Sequence, residues 1–558
     1  MEVQYQMIVD CLLEKEKKQG NRVYLRQPRD GAWHDYTWHD IMQAAKRVAQ
    51  FLRDEGLQPG SHVSIFSKNC VEWVIADFGI TLAGMVSVPL FPNQHEESIA
   101  YILQHAAVEL VFVGKLDAPV KTARFIPKSY KTVSFDYHPA VTTDFTWAQV
   151  MQTTPQMEVV RPTPEMLYTI IYSSGTTGTP KGVMFTHDAI AHYVSLFPRD
   201  VERITVLKRR HHLISYLPLA HVYERSSVLL ASIALDSDVS FVQGAEQFAK
   251  NLNEIQPTLF TAVPRIWAVF KQKIEQKMPE ERLSRLLKLP IVSRFVKQKI
   301  RKQLGLGRTN SAISGAAHLP VDALAFFDRL GLKILEGYGQ TENLGYATLS
   351  LRNQRKPGYV GTPRYGVVVK RDPSGELLLQ SPCLMKGYYH DETATEASFT
   401  SDGWLRTGDL AEIDAEGRVK ILGRISENFK NQKGEFISPT PIEKSFESLS
   451  VLEHFCLIGR ALPNNVLLVN LSDSGKTFSK PAIEEKLLTH LREVNQTLIA
   501  YERVRHIIIV ISSWTIENGF LTPTLKIKRR VIEERYQTLI ENITAHAKPG
   551  SILWEADY

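Results

Sequence analysis

Residues 172–182, Tyr-Ser-Ser-Gly-Thr-Thr-Gly-Thr-Pro-Lys-Gly, gather hydroxyls and glycines around one lysine, directly after the apolar run Leu167-Tyr168-Thr169-Ile170-Ile171. A strand that empties into such a loop makes a phosphate cradle. Gly175 and Gly178 let the backbone approach closely, amides and the hydroxyls of Ser173, Ser174, Thr176 and Thr177 donate to oxygens, and Lys181 supplies positive charge. A Walker P-loop is excluded, because it needs Gly-x4-Gly-Lys-Ser/Thr. Counting from Gly175, Pro180 stands at the second glycine and Gly182 at the metal-binding hydroxyl.

Five further clusters carry chemistry. In Glu336-Gly337-Tyr338-Gly339-Gln340-Thr341-Glu342, two glycines flank a tyrosine and leave its ring face open for a purine. Thr341 offers a hydroxyl to a phosphate, and Glu342 a hard carboxylate to Mg²⁺. Upstream, Ser314-Gly315-Ala316-Ala317 has the small residues needed where a ligand lies flat on backbone. The runs 410–414 and 418–422, joined by Ala415-Glu416-Gly417, read as a hairpin that sets Asp409 beside Arg424. That carboxylate can accept from a ribose diol, and the guanidinium can bind its hydroxyls or a phosphate. His221 lies in Leu217-Pro218-Leu219-Ala220-His221-Val222-Tyr223-Glu224-Arg225, and Lys526 in Leu521-Thr522-Pro523-Thr524-Leu525-Lys526-Ile527-Lys528-Arg529.

Together these strings resemble the motifs of the adenylate-forming (AMP-binding) enzymes, in that family's order from about residue 35 to 535. The wording around His221 and Lys526 is similar to the long-chain fatty acyl-CoA synthetase branch. The resemblance implies that loop 173–181 holds the β and γ phosphates of ATP, and that Glu336, Gly337 and Gly339 frame Tyr338 as it stacks on adenine. It implies phosphate contact for Thr341, Mg²⁺ at Glu342 with Ser174, and Gly315 and Ala316 beside the adenine and acyl carbonyl. Asp409 would hold the ribose with Arg424 beside it, His221 would line the carboxylate site, and Lys526 would bridge the carboxylate and α-phosphate. The family's hinge position, usually Asp or Lys, is Ser426 here.

The elements that must place these groups follow from pattern. Thr37-Trp38-His39-Asp40 opens an amphipathic helix through Arg53, which Gly56 stops. The strand 62–66, a helix around 73–82 and a strand near Val86 then alternate, as in a largely parallel sheet covered by helices. Strands are expected again at 213–217 and 257–263. Residues 271–308 are rich in lysine and arginine with Leu286, Leu287, Ile291, Val292, Phe295 and Val296 between. They read as a solvated basic helix pair, with an acidic membrane surface as the alternative partner. From residue 366 the texture is short strands and turns.

At 558 residues the chain exceeds what one core supports. The expected architecture is a large N-terminal domain, 1–424, of α/β subdomains plus a small β-rich subdomain, followed by a small mobile α+β domain, 425–558. A net charge of +6 suits anionic substrates such as ATP or CoA. Few aromatics interleave the charges, which argues against nucleic acid. Cys11, Cys70, Cys383 and Cys456 are scattered without metal-ligand spacing, fitting a reducing cytoplasm. The stretch 74–92 carries Asp77 and two prolines and reads as buried rather than membrane-spanning. No basic-then-apolar leader is visible at the N-terminus.

The expectation is therefore a long-chain fatty acid–CoA ligase using ATP, Mg²⁺ and CoA. A fatty acyl-AMP ligase that loads a carrier protein, and a silent acyl or nucleotide sensor, remain open. Chain length preference and oligomeric state, a dimer included, are not legible.

Overall fold

The structure is a computed structural model that describes residues 5–156, 158–173, 179–205, 210–544 and 547–557. The chain forms two compact units. The first comprises Met1–Lys370, Leu378–Arg406 and Asp414–Val419; the second comprises Arg371–Leu377, Thr407–Ile413 and Lys420–Tyr558.

In the first unit, Thr37 and Asp40 cap the helix Trp38–Asp54 reciprocally. The Thr37 hydroxyl accepts from Asp40 N at 3.2 Å, and Asp40 Oδ2 accepts from Thr37 N at 2.9 Å. This helix packs on Val71–Leu82, every residue of which is buried. Gly79 permits the crossing, since a Cβ there would lie 2.5 Å from the Val48 side chain. The chain then enters the strand Val86–Leu90 inside an eight-stranded sheet. Six of its strands run parallel: Leu167–Ser173, Val86–Leu90, His62–Phe66, Val108–Val113, Lys131–Ser134 and Phe145–Thr146. The expected βα alternation is thus present, and no described helix is long and apolar enough to cross a membrane.

Two smaller sheets complete this unit. In one, His212–Ser215 runs parallel to Asp238–Phe241, which is parallel to Val23–Arg29. In the other, Leu259–Ala262, Ser311–Ser314 and Ile334–Tyr338 are parallel. The basic segment forms three helices rather than a pair: Pro264–Lys277, Glu280–Leu287 and Pro290–Gln303. Pro279 and Pro290 each suit the start of a new helix and cannot continue the old one. Ile274, Leu283 and Ile300 turn into the core, whereas Leu289, Ile291 and Phe295 are 52%, 76% and 67% exposed.

The second unit is α+β. Its sheet orders Leu452–Ile458, Asn465–Leu471, Val504–Ile509 and Ser551–Trp554. Alternation along the strands feeds two cores. Leu467, Val469, Ile507 and Ile509 pack with Ile483, Leu487 and Leu491 of the helix Lys480–Thr497, while Val466, Leu468 and Ile508 pack with Ile532, Tyr536 and Ile540 of Arg529–Thr544. A further four-stranded sheet of Val368–Arg371, Glu376–Gln380, Leu405–Ile413 and Val419–Arg424 is the small β-rich part, in addition to the large α/β part and the smaller α+β C-terminal part.

Candidate active site

The first unit delivers its candidate residues at the carboxyl ends of parallel strands, where open α/β sheets bind ligands. Leu167–Ser173 pairs antiparallel with Lys181–Thr186, and Ser173 stands opposite Lys181. The two ends of the candidate phosphate loop, Ser173 and Lys181, are thereby pinned as neighbours. Ser174, Gly175, Thr176, Thr177 and Gly178 lie outside the described residues. Gly182 serves packing: it pairs with Tyr172, and a Cβ on it would meet that ring at 3.0 Å. Lys181 Nζ sits 4.9 Å from the centre of the Tyr388 ring and 3.9 Å from Asp391.

Gly315 and Ala316 follow the strand Ser311–Ser314. A Cβ on Gly315 would press on the Tyr223 ring at 3.0 Å, and Ala316 holds the left-handed conformation at φ 68°. Glu336 is buried on Ile334–Tyr338, opposite Ser314, with Gly337 and half-buried Tyr338 at the strand's end. Sequence reasoning has both flanking glycines opening the Tyr338 ring. Gly339 has a different necessity, because a Cβ there would lie 2.5 Å from Gly345 C. Thr341 and Glu342 start a single 3₁₀ turn, Thr341–Asn343. Glu342 Oε1 accepts the Tyr388 hydroxyl at 2.8 Å. Tyr388 is the residue sequence reasoning missed; its only local signal is an aromatic pair after Gly387.

His221 caps the short helix Val222–Glu224, its Nδ1 accepting from Tyr223 N at 3.1 Å. Nδ1 is thus occupied as an acceptor, so any ligand contact of the ring falls to Nε2. Asn69, also missed by sequence, fixes this segment: its amide donates to Ser215 Oγ at 2.7 Å and Leu217 O at 2.6 Å, and accepts from Leu219 N at 2.9 Å. Glu224 accepts from the Ser215 hydroxyl at 2.8 Å and Tyr216 N at 2.9 Å. Next to it Arg225 and Asp77 form a fully buried ion pair at 2.6 Å.

Burial pushes the Glu224 carboxyl up to about 8. The unfolded chain releases this proton near the ordinary carboxylate value, so between there and about 8 the folded state binds more protons. This contribution is complete at low pH and is lost as pH rises, by up to about 1.4 kcal/mol per pH unit. Glu224→Gln keeps the Oε1 acceptor and removes the titration. Its melting temperature relative to wild type should climb from about pH 5 to pH 8. A difference that stays constant with pH would refute the assignment.

In the second unit, the hairpin expectation for Asp409 and Arg424 holds. Arg424 Nε donates to Asp409 Oδ1 at 2.9 Å, with the Asp409 side chain buried and that of Arg424 41% exposed. Gly408, at φ 67°, donates its N–H to Glu376 Oε1 at 2.8 Å. Ser426 is exposed on the turn Ile425–Glu427 directly after Arg424. Lys526 closes a tight turn: Thr522 N donates to Lys526 O at 2.8 Å, and Lys526 N to Thr522 Oγ1 at 3.0 Å. Leu525 before it is left-handed at φ 62°, a costly conformation for a branched side chain that leaves Lys526 exposed. The structure thus groups Lys181, Glu342 and Tyr388 in one unit, and Asp409 with Arg424 in the other.

A nucleotide-borne Mg²⁺ needs one or two carboxylates, with phosphate oxygens and water completing its shell. Glu342, oriented by Tyr388, fits that requirement. Among the described residues no three His, Cys, Asp or Glu side chains form a metal cluster.

The family model described as AMP-binding enzyme matches residues 12–389, and that of the AMP-binding enzyme C-terminal domain matches 430–548. The chain belongs to the AMP-binding enzymes, the adenylate-forming catalysts that bind ATP. It is 27% identical to the long-chain-fatty-acid–CoA ligase FadD15 of Mycobacterium bovis, over 96% of each chain. It is 29% identical to the mouse (Mus musculus) long-chain-fatty-acid–CoA ligase 5, over 91% of this chain and 84% of that one. Its fold resembles the adenylation domain of carboxylic acid reductase from Segniliparus rugosus, solved with AMP and a co-purified carboxylic acid (TM-score 0.77, 20% identity, 96% and 93% covered). It also resembles the anthranilate CoA ligase AuaEII, solved with anthranoyl-AMP (TM-score 0.76, 21% identity, 96% and 98% covered).

Proposed function

We propose that this enzyme is a long-chain fatty acid–CoA ligase. A fatty carboxylate attacks the α-phosphate of ATP, giving acyl-AMP and pyrophosphate; the CoA thiol then displaces AMP. The observation that carries the first step is the line Lys181–Tyr388–Glu342 at the mouth of the phosphate strands, a cation and a carboxylate held by one ring. The acid follows by similarity to the long-chain ligases and from the Leu-Pro-Leu-Ala-His-x-x-Glu-Arg wording of 217–225. In this reading catalysis is positioning and charge stabilisation, with little covalent chemistry for the protein. The functional domain boundary falls after Arg424, and the C-terminal domain turns about Ser426 between steps.

The test is ATP–pyrophosphate exchange across an acyl-chain series, with and without CoA. Exchange driven by palmitate-sized acids, with thioester only when CoA is present, is the expected result. Exchange with acetate or amino acids alone would move the chain to another branch. Acyl-AMP that persists beside CoA but disappears with a carrier protein would make it an acyl-AMP ligase.

The apolar corner at Leu289, Ile291 and Phe295, flanked by Lys288, Arg294 and Lys299, gives the membrane alternative a specific form. In this proposal the corner enters an anionic bilayer from which the acid is drawn. Binding to anionic vesicles should weaken as salt rises. It should be lost in Ile291→Ser/Phe295→Ser without loss of turnover on dispersed acid. Equal partition of wild type and variant would leave the corner a solvated surface.

A further inference from the structure

We propose that Tyr388 is a positioning residue that couples the phosphate-loop lysine to the metal-binding carboxylate, so that nucleotide phosphates and Mg²⁺ are gripped as one unit. The proposal rests on the adenylating function and assigns to this chain a residue that no motif singled out.

Two contacts of one side chain carry it. The Tyr388 hydroxyl donates to Glu342 Oε1 at 2.8 Å, and the face of its ring lies 4.9 Å from Lys181 Nζ. A hydroxyl bonded to a carboxylate is a charge-assisted contact that fixes the carboxylate's rotation. An ammonium over an aromatic face is held without its charge being neutralised. The ion pair of Lys181 with Asp391, at 3.9 Å, is longer than a hydrogen bond, so the Lys181 ammonium can still donate to phosphate.

The backbone reinforces both. Gly387–Tyr388 pairs antiparallel with Lys181–Thr186, Tyr388 opposite Val183. Lys386 N donates to Met184 O at 2.8 Å and Tyr389 N to Gly182 O at 2.7 Å, tying the segment to the strand that leaves the phosphate loop. Met385 N donates to Glu342 O at 2.8 Å, tying it to the carboxylate's own residue. Thr395 locks the segment from behind: its hydroxyl accepts from Tyr388 N at 2.9 Å, and a Cβ on Gly387 would lie 2.7 Å from its methyl. Ring packing alone would be served equally well by phenylalanine. The hydroxyl has its use in the Glu342 contact.

The test uses the full-length protein and Tyr388→Phe, which keeps the ring under Lys181 and removes the hydroxyl. The Mg²⁺ concentration giving half-maximal ATP–pyrophosphate exchange should rise about five- to tenfold, with the KM for fatty acid unchanged. By calorimetry, the Mg²⁺-dependent gain in ATP affinity should shrink by a similar factor, while metal-free ATP binding stays at the wild-type level. Tyr388→Leu should weaken metal-free ATP binding as well, because the ring beneath Lys181 is gone. On a Glu342→Gln background, Tyr388→Phe should change neither readout further. Wild-type Mg²⁺ dependence in Tyr388→Phe, or a full additional loss on the Glu342→Gln background, overturns the coupling. A wild-type protein without Mg²⁺-dependent ATP binding would overturn the adenylating function itself, a different outcome from an unshifted variant beside a normal wild type.

Discussion

Lys526→Ala is expected to slow acyl-AMP formation by on the order of 10²–10³ while leaving the conversion of supplied acyl-AMP and CoA to acyl-CoA near the wild-type rate. In the proposed first step, negative charge concentrates between the attacking carboxylate and the α-phosphate. A preorganised ammonium there stabilises the transition state more than the ground state. Thioester formation needs no such bridge. The side chain is exposed, and the turn that carries it is held by backbone and by the Thr522 hydroxyl, which Lys526→Ala leaves intact. The loss should therefore report chemistry rather than folding. Lys528 is the control: half-buried, with its N–H bonded to Phe520 O at 2.9 Å, it belongs to the base of the same turn. Lys528→Ala should leave adenylation much less affected. Comparable losses in both half-reactions, or a larger loss for Lys528→Ala, would mean that the wrong lysine or the wrong two-step mechanism has been assigned.

What the sequence disclosed and what it hid follow one physical division. Features set by near neighbours were legible. The Thr37 cap, the strand leading to Ser173 and the Asp409–Arg424 pair each depend on a short run of residues whose period or turn fixes the geometry. Features set by the meeting of distant segments were hidden. Tyr388 reaches Glu342 and Lys181 because Gly387–Tyr388 adds to a strand some two hundred positions earlier, a pairing with no local signature. Gly79 is required by the neighbouring helix, since a Cβ there would lie 2.5 Å from the Val48 side chain, about thirty positions earlier. Asn69 likewise reveals its role only where it meets Ser215 and Leu217. The third helix of the basic segment is a different miss. Pro279 and Pro290 were in plain view, but the charge pattern across them suggested continuity.

Asp409→Ala should lower ATP affinity by at least about tenfold, and by about a hundredfold if both ribose hydrogen bonds are lost at roughly 1.5 kcal/mol each. Fatty acid affinity should be nearly unchanged. The Arg424 contact makes the experiment discriminating. Oδ1 already accepts from Arg424 Nε at 2.9 Å, so Asp409 could be no more than that arginine's structural partner. The two roles predict different losses. Arg424 is 41% exposed, so water can solvate it once Asp409 is gone, which keeps the stability cost of losing the pair modest. A purely structural Asp409 therefore gives a small drop in melting temperature and unchanged calorimetric ATP binding. A ribose-binding Asp409 gives a large affinity loss with the same small drop. The backbone that carries the carboxylate is fixed: Asp409 N donates to Thr407 Oγ1 at 3.1 Å, and Thr407 in turn donates to Leu377 O at 2.7 Å. Arg424→Ala completes the argument. It should weaken ATP binding less than Asp409→Ala, because the carboxylate proposed to accept from the ribose remains, and a larger loss for Arg424→Ala would reverse the roles assigned to the two residues.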